Sequence, residues 1–301
     1  MGMLSGWGDD PAVAQTLEEA SDALGEDLSR LISEGPADLL ALTTNTQPVM
    51  LVAGVAAYRA WLARTGAPPH LVAGHSLGEY AALVASGVLT LAQAVPLVRL
   101  RAQAMQEAVP LGRGAMAAIL GLPASDVVAA CAQAQANFGA GSAEVVEAAN
   151  FNDPGQTVIS GTQAAVNKAC ELLKAAGAKR ALPLAVSAPF HCSLMKPAAD
   201  RLRQHFANVS WAAPKIPLVN NIDVAISSDP SYIRDALYRQ VFGPVRWVED
   251  VLALKAQGVT HVIECGPGKV LTGLVKRIAA DLVGAPLYDQ ATCIQVQELL
   301  V

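Results

Sequence analysis

The chain has 301 residues, of which 52% are apolar and 5% aromatic, and its net charge is −5. This length allows one large domain or two modest ones, and the negative charge argues against nucleic-acid binding, which requires a basic face. No apolar run reaches the roughly 18 residues of a membrane span. The start of the chain also lacks the basic-then-apolar pattern of a signal peptide. We therefore expect a cytoplasmic protein, with an Ala-rich composition typical of an α/β fold.

The five cysteines are scattered and form neither a Cys-x-x-Cys pair nor a metal-site spacing. We expect them to be reduced thiols in the protein interior, and we expect no metal and no cofactor. They are Cys131, Cys170, Cys192, Cys265 and Cys293.

The first 70 residues are predicted to be helical, after a Gly-rich loop over residues 1–7. Asp10-Pro11 is typical of a helix cap and first turn, and apolar residues follow it at helical spacing. Further helices are predicted at 28–32 and 47–64.

A short apolar run at 71–73 leads into Gly74–Gly78, with the sequence Gly-His-Ser-Leu-Gly, and an Ala- and Leu-rich segment follows. Gly-x-Ser-x-Gly between a strand and a helix is the pattern of a nucleophile elbow. The two glycines permit a tight turn that exposes the Ser76 hydroxyl, and the Leu77 N–H at the helix start can stabilise an oxyanion. The alternative is an ordinary strand-to-helix turn.

The next helix is predicted from Leu91 to Ala108, with a kink at Pro96. One of its faces is apolar except for Arg101. A buried guanidinium needs a partner, because leaving it unpaired costs several kcal/mol. The pattern alone does not distinguish an anionic ligand from a structural partner.

Residues 114–187 have the pattern of a ferredoxin-like unit, β-α-β-β-α-β. Strands are predicted at 116–120, 145–150, 157–160 and 182–186, and helices at 124–136 and 164–176. This unit is predicted to be inserted into a larger domain made of residues 1–113 and 188–301.

His191 follows Pro189 at a turn between strand and helix, a position from which a side chain can face a cleft. A lone histidine is more often structural or exposed. Among the others, His75 adjoins Ser76 and is predicted to point away, whereas His70 lies in a loop and is the least excluded alternative.

The final segment is predicted to return to the main sheet, with strands at 216–219 and 260–264 and helices at 233–241 and 270–279. Its Gly-Pro-Gly-Lys loop at 266–269 lacks a full phosphate-binding fingerprint.

Five segments carry a family resemblance: Gly74–Tyr80, Met105–Pro110, Asn150–Asn152, Pro189–His191 and Glu264–Leu271. Together, in unbroken order over nearly the whole chain, they resemble the malonyl-CoA:acyl carrier protein transacylases of bacterial fatty-acid synthesis. The resemblance implies an α/β-hydrolase-like core with a parallel sheet plus an inserted ferredoxin-like subdomain.

The resemblance also implies roles for individual residues. Ser76 would be the nucleophile, His191 its base, and Arg101 the group that holds the malonyl carboxylate. Gln240 would orient the histidine through its backbone carbonyl, and the Leu77 N–H would receive negative charge. The implied reaction is a ping-pong transfer through a malonyl-Ser76 intermediate.

The partners implied are malonyl-CoA and an acidic acyl carrier protein, with no nucleic acid and no membrane. The basic pairs Lys179-Arg180 and Lys276-Arg277 are candidate contacts for the carrier protein, although such pairs are more often simply solvated. Phe190 is expected to disfavour a methyl branch on the acyl group. A monomer is the default expectation.

One departure from the family concerns the start of the chain, where a strand and a Phe-Pro-Gly-Gln-Gly-Ser-Gln loop with a second oxyanion donor are expected but absent. Either the natural protein is longer or this form is impaired. Two alternatives therefore stay open beside the transacylase: a serine thioesterase or hydrolase, and a non-catalytic scaffold that binds the carrier protein. Relatives that act on malonate or in polyketide assembly share the same motifs.

Overall fold

A short 3-10 helix (Ser5–Trp7) and four α-helices precede the first strand in the computed structural model, which describes residues 2–139 and 141–300. The first α-helix is capped by Asp10, whose side chain accepts from the N–H groups of Ala12 and Val13 and also pairs with Arg64. The fourth is buried over most of its circumference and packs against the first and against the later helix α6 (Leu91–Glu107). The helices are α1 (Pro11–Leu24), α2 (Leu28–Glu34), α3 (Ala37–Ala41) and α4 (Thr43–Thr65).

The main α/β layer contains two pairs of parallel strands and the helices around them. β1 (Val72–Ala73) pairs with β6 (Leu218–Val219), and β7 (His261–Cys265) pairs with β8 (Val283–Leu287). A mainly apolar cavity of about 680 Å³ is lined by residues of both β1 and β7. The helices of this layer are α5 (Gly78–Ala85), α6 (Leu91–Glu107), α9 (Lys196–Phe206), α10 (Pro230–Gln240), α11 (Trp247–Ala256), α12 (Val270–Ile278) and α13 (Gln290–Leu299).

Between α6 and α9 along the chain lies a four-stranded antiparallel sheet, with its strands in the order β3 (Val146–Asp153), β4 (Gln156–Thr162), β2 (Gly114–Leu120) and β5 (Arg180–Pro183). This is the order of a ferredoxin-like unit, as the sequence predicts. Its elements are β2 (Gly114–Leu120), α7 (Ala124–Ala136), β3 (Val146–Asp153), β4 (Gln156–Thr162), α8 (Gln163–Ala175) and β5 (Arg180–Pro183).

The two faces of this small sheet have different partners because side chains alternate along a strand. On one face, Ile119 and Ile159 pack with α7 and α8 in a separate core. On the other face, Met116 and Val158 contact Phe190, the residue before His191. The sheet therefore supports the segment that carries the candidate histidine.

The structure differs from the sequence expectations at several element ends. The strand predicted at 182–186 lies instead at Arg180–Pro183. The chain leaves the sheet after Leu184, whose N–H still donates to the Met116 carbonyl, because the Val186 N–H bonds back to the Leu184 carbonyl and not to β2. Leu184 and Val186 are exposed. Helix α6 has Pro96 inside it and ends at Glu107, one residue before the predicted end. The short α3, β8 and the terminal α13 were not predicted. None of the described helices is both long enough and apolar enough to cross a membrane.

Candidate active site

Ser76 lies in the turn between β1 and α5, in the left-handed conformation with φ of 53°. The turn is tight, because a Cβ at Gly74 would lie 2.0 Å from the carbonyl carbon and oxygen of Gly78. A Cβ at Gly78 would meet nothing within 4 Å. The steric requirement that the sequence suggests for both glycines therefore applies only to Gly74.

The structure brings His191 to Ser76 across 115 positions of sequence. Ser76 Oγ lies 2.6 Å from His191 Nε2, and His191 Nδ1 lies 2.9 Å from the backbone oxygen of Gln240. Because a carbonyl only accepts, Nδ1 carries the proton and Nε2 is free to accept from the serine hydroxyl. This is the arrangement of a nucleophile, its base and a group that orients the base.

The His191 imidazole is buried, and burial lowers its pKa to about 3, with the positive charge of Arg101 acting in the same direction. The ring is therefore neutral at physiological pH and can accept the proton of Ser76.

Arg101 extends from α6 to the same point, and only 2% of its surface is exposed. Its Nη2 donates to Ser76 Oγ at 3.1 Å and to Gln240 Oε1 at 3.3 Å, and its Nη1 donates to Gln47 Oε1 at 2.5 Å. All of these acceptors are neutral, and no carboxylate of the described chain lies within ion-pair distance of Arg101. The sequence allowed either an anionic ligand or a structural partner for Arg101. Among the described residues its partners are neutral, so the buried charge has no structural ion pair.

The Leu77 N–H lies at the start of α5. The neighbouring amides of Gly78 and Glu79 bond to the carbonyls of His75 and Ser76, but in residues 2–139 and 141–300 no acceptor is found for Leu77 N–H. It is available to an oxyanion formed on the carbonyl that Ser76 attacks.

Besides Gln47, three further buried polar residues that the sequence analysis missed surround this centre: Glu79, Asn221 and Asp250. Asn221 Oδ1 accepts from the Ser76 N–H at 2.8 Å, and its Nδ2 donates to Asp250 Oδ2 at 2.8 Å. Glu79 Oε2 accepts from Gln240 Nε2 at 2.8 Å and from the Asn221 N–H at 3.1 Å. A signal for Glu79 was present, since it is an acid in an otherwise apolar helix, the same pattern that drew attention to Arg101.

Burial also shifts the pKa of both acids. It raises the pKa of Glu79 to about 7, against the opposing effects of its hydrogen bonds and of Arg101. It raises the pKa of Asp250 well above its usual value, with the nearby Glu79 acting in the same direction. Desolvation disfavours the ionised form of each carboxyl group.

The other predicted residues lie away from this centre. His75 Nε2 is 2.8 Å from Asn152 Oδ1, so the side chain points away from Ser76, as predicted. The basic pairs Lys179-Arg180 and Lys276-Arg277 are exposed, and Arg277 bonds to Asp153 at 2.6 Å.

The Gly-Pro-Gly-Lys loop at 266–269 precedes α12. The first free amides of that helix, those of Leu271 and Thr272, already bind the Glu264 carboxylate. A phosphate would have to compete with this internal acceptor.

The five cysteines are free thiols. Cys131, Cys192 and Cys293 are buried, as expected, but Cys170 and Cys265 are only partly so. Burial raises the pKa of the Cys265 thiol to about 12. Within the described residues, no three His, Cys, Asp or Glu side chains are grouped as a metal site.

Comparison with known proteins gives a consistent result over nearly the whole chain. Residues 1–289 match the family model of the acyl transferase domain. The chain is 50% identical over 289 residues to the malonyl CoA-acyl carrier protein transacylase of Escherichia coli K12, covering 96% of this chain and 92% of the relative. It is 43% identical over 282 residues to the protein of the same name from Bacillus subtilis 168, covering 94% and 87%.

Solved structures agree with these sequence matches. The acyl-carrier-protein S-malonyltransferase of Burkholderia pseudomallei 1710b is 60% identical and superposes with a TM-score of 0.95, covering 99% of this chain and 95% of that one. A malonyl-transacylase solved in complex with a type II PKS acyl-carrier protein is 48% identical, with a TM-score of 0.95 and the same coverage. The expected α/β fold with its small antiparallel subdomain is confirmed.

Proposed function

The chain belongs to the malonyl CoA-acyl carrier protein transacylases, a family of acyltransferases, and from this premise we propose that it moves a malonyl group from malonyl-CoA to the phosphopantetheine thiol of an acyl carrier protein. The observation that carries the proposal is the contact of the buried Arg101 with Ser76 Oγ. A cation beside the nucleophile, with no carboxylate in contact, favours an acyl group that brings its own negative charge.

In the first half-reaction, His191 Nε2 takes the proton of Ser76 as Oγ attacks the thioester carbonyl of malonyl-CoA. The carbonyl oxygen becomes an oxyanion and accepts from the Leu77 N–H. The C–S bond then breaks, the carbonyl re-forms, and the coenzyme A sulfur leaves with the proton held by His191. The product is malonyl-Ser76.

In the second half-reaction, the carrier protein's thiol gives its proton to His191 and attacks the malonyl-Ser76 ester. The C–O bond to Ser76 breaks, and Oγ recovers a proton from His191. Throughout, Arg101 binds the malonyl carboxylate with two parallel N–H donors, a geometry that a lysine cannot supply. The reaction is therefore ping-pong and uses groups of this chain alone.

The carrier protein is proposed to be that of fatty-acid synthesis, because the chain resembles the E. coli and B. subtilis transacylases. A structural relative was solved with a polyketide carrier protein, so that class is the second candidate. The exposed pairs Lys179-Arg180 and Lys276-Arg277 stay the proposed contacts for an acidic partner.

The test is to incubate the protein with malonyl-CoA, weigh it intact, and then add carrier protein. We expect a malonyl adduct that is absent from Ser76→Ala and that disappears as malonyl carrier protein forms. Release of free malonate without carrier protein would instead identify a hydrolase, and absence of any adduct would identify a scaffold.

Two variants of one helix test the role of Arg101. Arg101→Ala should lower the rate of malonyl loading by about 100-fold or more, because the malonyl carboxylate loses its charged partner. Arg99→Ala is the matched control, since Arg99 lies on the same helix but pairs with the exposed Glu26. Undiminished malonyl loading by Arg101→Ala would refute the assignment.

A further inference from the structure

Asn221 occupies a central position in the site although it follows β6 in an irregular turn. It is fully buried, and each polar group of the residue is bonded. Its side-chain oxygen accepts from Ser76 N–H at 2.8 Å and from Gln240 Nε2 at 3.3 Å, and its amide nitrogen donates to Asp250 at 2.8 Å. Its own N–H donates to Glu79 at 3.1 Å.

The pattern of donors and acceptors fits only an amide at this position. Ser76 N–H and Gln240 Nε2 are donors, so the side-chain atom facing them must accept. At the other end of the side chain, Asp250 Oδ2 accepts from Asn221, so the group that faces it there must donate. An Asn in one orientation meets both requirements.

We infer that Asn221 is a positioning residue for the acyl transfer, holding the backbone of the nucleophile at the point where His191 can reach its hydroxyl. Ser76 has φ of 53°, a conformation that costs about 1–3 kcal/mol in a non-glycine residue and persists only when its surroundings fix it. The bond from Ser76 N–H to Asn221 is one such constraint. This inference rests on the proposed role of Ser76.

The same side chain also reaches the residue that orients the base. Gln240 holds His191 Nδ1 with its backbone oxygen, and its side chain donates to Asn221, to Glu79 and to the backbone oxygen of Ser76. Asn221 thus contacts both Ser76 and Gln240, the residue that orients His191, but it does not contact Arg101. Its loss should lower the rate of acylation and leave malonyl binding nearly unchanged.

The experiment exchanges the polarity of the Asn221–Asp250 pair while keeping its volume. Asn221→Asp places an acceptor against Asp250 Oδ2 and should slow acylation of Ser76 by about 100-fold, the effect of a displacement near 1 Å. Asp250→Asn in the same chain restores a donor opposite an acceptor, and the double variant should recover to within about fivefold of the natural rate. Half-saturation by malonyl-CoA should change less than threefold in both.

Two measurements separate this idea from simple misfolding and from failure of the proposed function. Asn220→Ala is the fold control, because the Asn220 side chain bonds to Ala225 and Asp223 and not to Ser76, Gln240 or Asp250, and its acylation rate should stay within threefold. Phenylmethylsulfonyl fluoride, which reacts with activated serines, reports on Ser76 independently of the acyl substrate, and its reaction should follow the same order of variants.

Asn221→Asp that stays folded and acylates at the natural rate would overturn the inference, as would a double variant slower than Asn221→Asp. If the natural protein reacts with the sulfonyl fluoride but takes no malonyl group, the proposed function fails and the positioning role is still tested.

Discussion

The pKa of Glu79 leads to a prediction about stability that the isosteric variant Glu79→Gln can test. The carboxyl group is buried in the first turn of α5, with Oε2 accepting two hydrogen bonds and Oε1 accepting none. Its pKa is raised to about 7 from the usual 4.5. The folded protein therefore keeps this proton to a higher pH than the unfolded chain does, and the stability it contributes is complete below pH 4.5 and lost as pH rises through 7.

The size of the effect follows from those two values. Between pH 5 and pH 8 the ionisation of Glu79 should cost the natural protein about 2.5 kcal/mol of its free energy of unfolding. A glutamine cannot ionise, and its oxygen can accept from Asn221 N–H and Gln240 Nε2 as Oε2 does. The stability of Glu79→Gln minus that of the natural protein should therefore rise by about 2.5 kcal/mol over this pH range.

Urea unfolding followed by circular dichroism at pH 5, 6, 7 and 8 measures this difference. Glu34→Gln is the control for the exchange of a carboxylate for an amide, because Glu34 is exposed and pairs with Arg30 on the surface of α2, where such pairs contribute little to stability. A Glu79→Gln difference that is constant with pH would refute the reasoning, since it would mean that Glu79 has the same protonation in the folded and the unfolded chain.

Two further predictions concern the elbow and the base. Gly74→Ala should destabilise the protein by at least about 2 kcal/mol, because the new Cβ overlaps the Gly78 carbonyl. Gly78→Ala, whose new Cβ meets no atom within 4 Å, should change stability by less than about 1 kcal/mol. Urea unfolding of both variants measures these differences. His191 has a pKa of about 3 in the folded protein against 6.5 unfolded, so on going from pH 8 to pH 5 this residue alone should lower the free energy of unfolding by about 2 kcal/mol, as the unfolded chain takes up the proton. The stability of His191→Gln minus that of the natural protein should therefore rise by about 2 kcal/mol from pH 8 to pH 5 in the same assay, and a difference that does not change with pH would contradict the assignment.

The parts of the site that sequence could predict are those with a local signature. The elbow at Ser76 is a short pattern between two elements, and Arg101 is one charge on an apolar helix face. The ferredoxin-like unit follows from the order of its strands and helices. None of these inferences requires knowledge of which distant segments meet.

His191 and Gln240 needed more than a local pattern. A turn after Pro189 marked His191 as a candidate, but five histidines were available, and it was the family resemblance that selected it. Gln240 acts on the histidine through a backbone oxygen, which every residue has, so no property of its side chain could point to that role.

Asn221 and Gln47 could not be found from sequence for a different reason. Each is a neutral amide whose importance depends on the atoms that surround it, and neither interrupts a periodic pattern. The end of β5 shows the complementary error, since the alternation at 182–186 suggested a strand, whereas the chain leaves the sheet after Leu184 and the Val186 N–H bonds to the Leu184 carbonyl.

The electrostatics of the site connect these residues to the choice of substrate. Burial holds His191 neutral and raises the pKa of both Glu79 and Asp250, so the acids nearest the nucleophile resist ionisation while Arg101 keeps its charge. The resting site is therefore positive next to Ser76. An acyl group with a terminal carboxylate supplies the missing negative charge, whereas an acetyl group leaves Arg101 without an ionic partner at the moment when Ser76 must react. On the proposed roles, selectivity for a dicarboxylic acyl group depends both on Arg101 and on the weak acidity of Glu79 and Asp250 beside it.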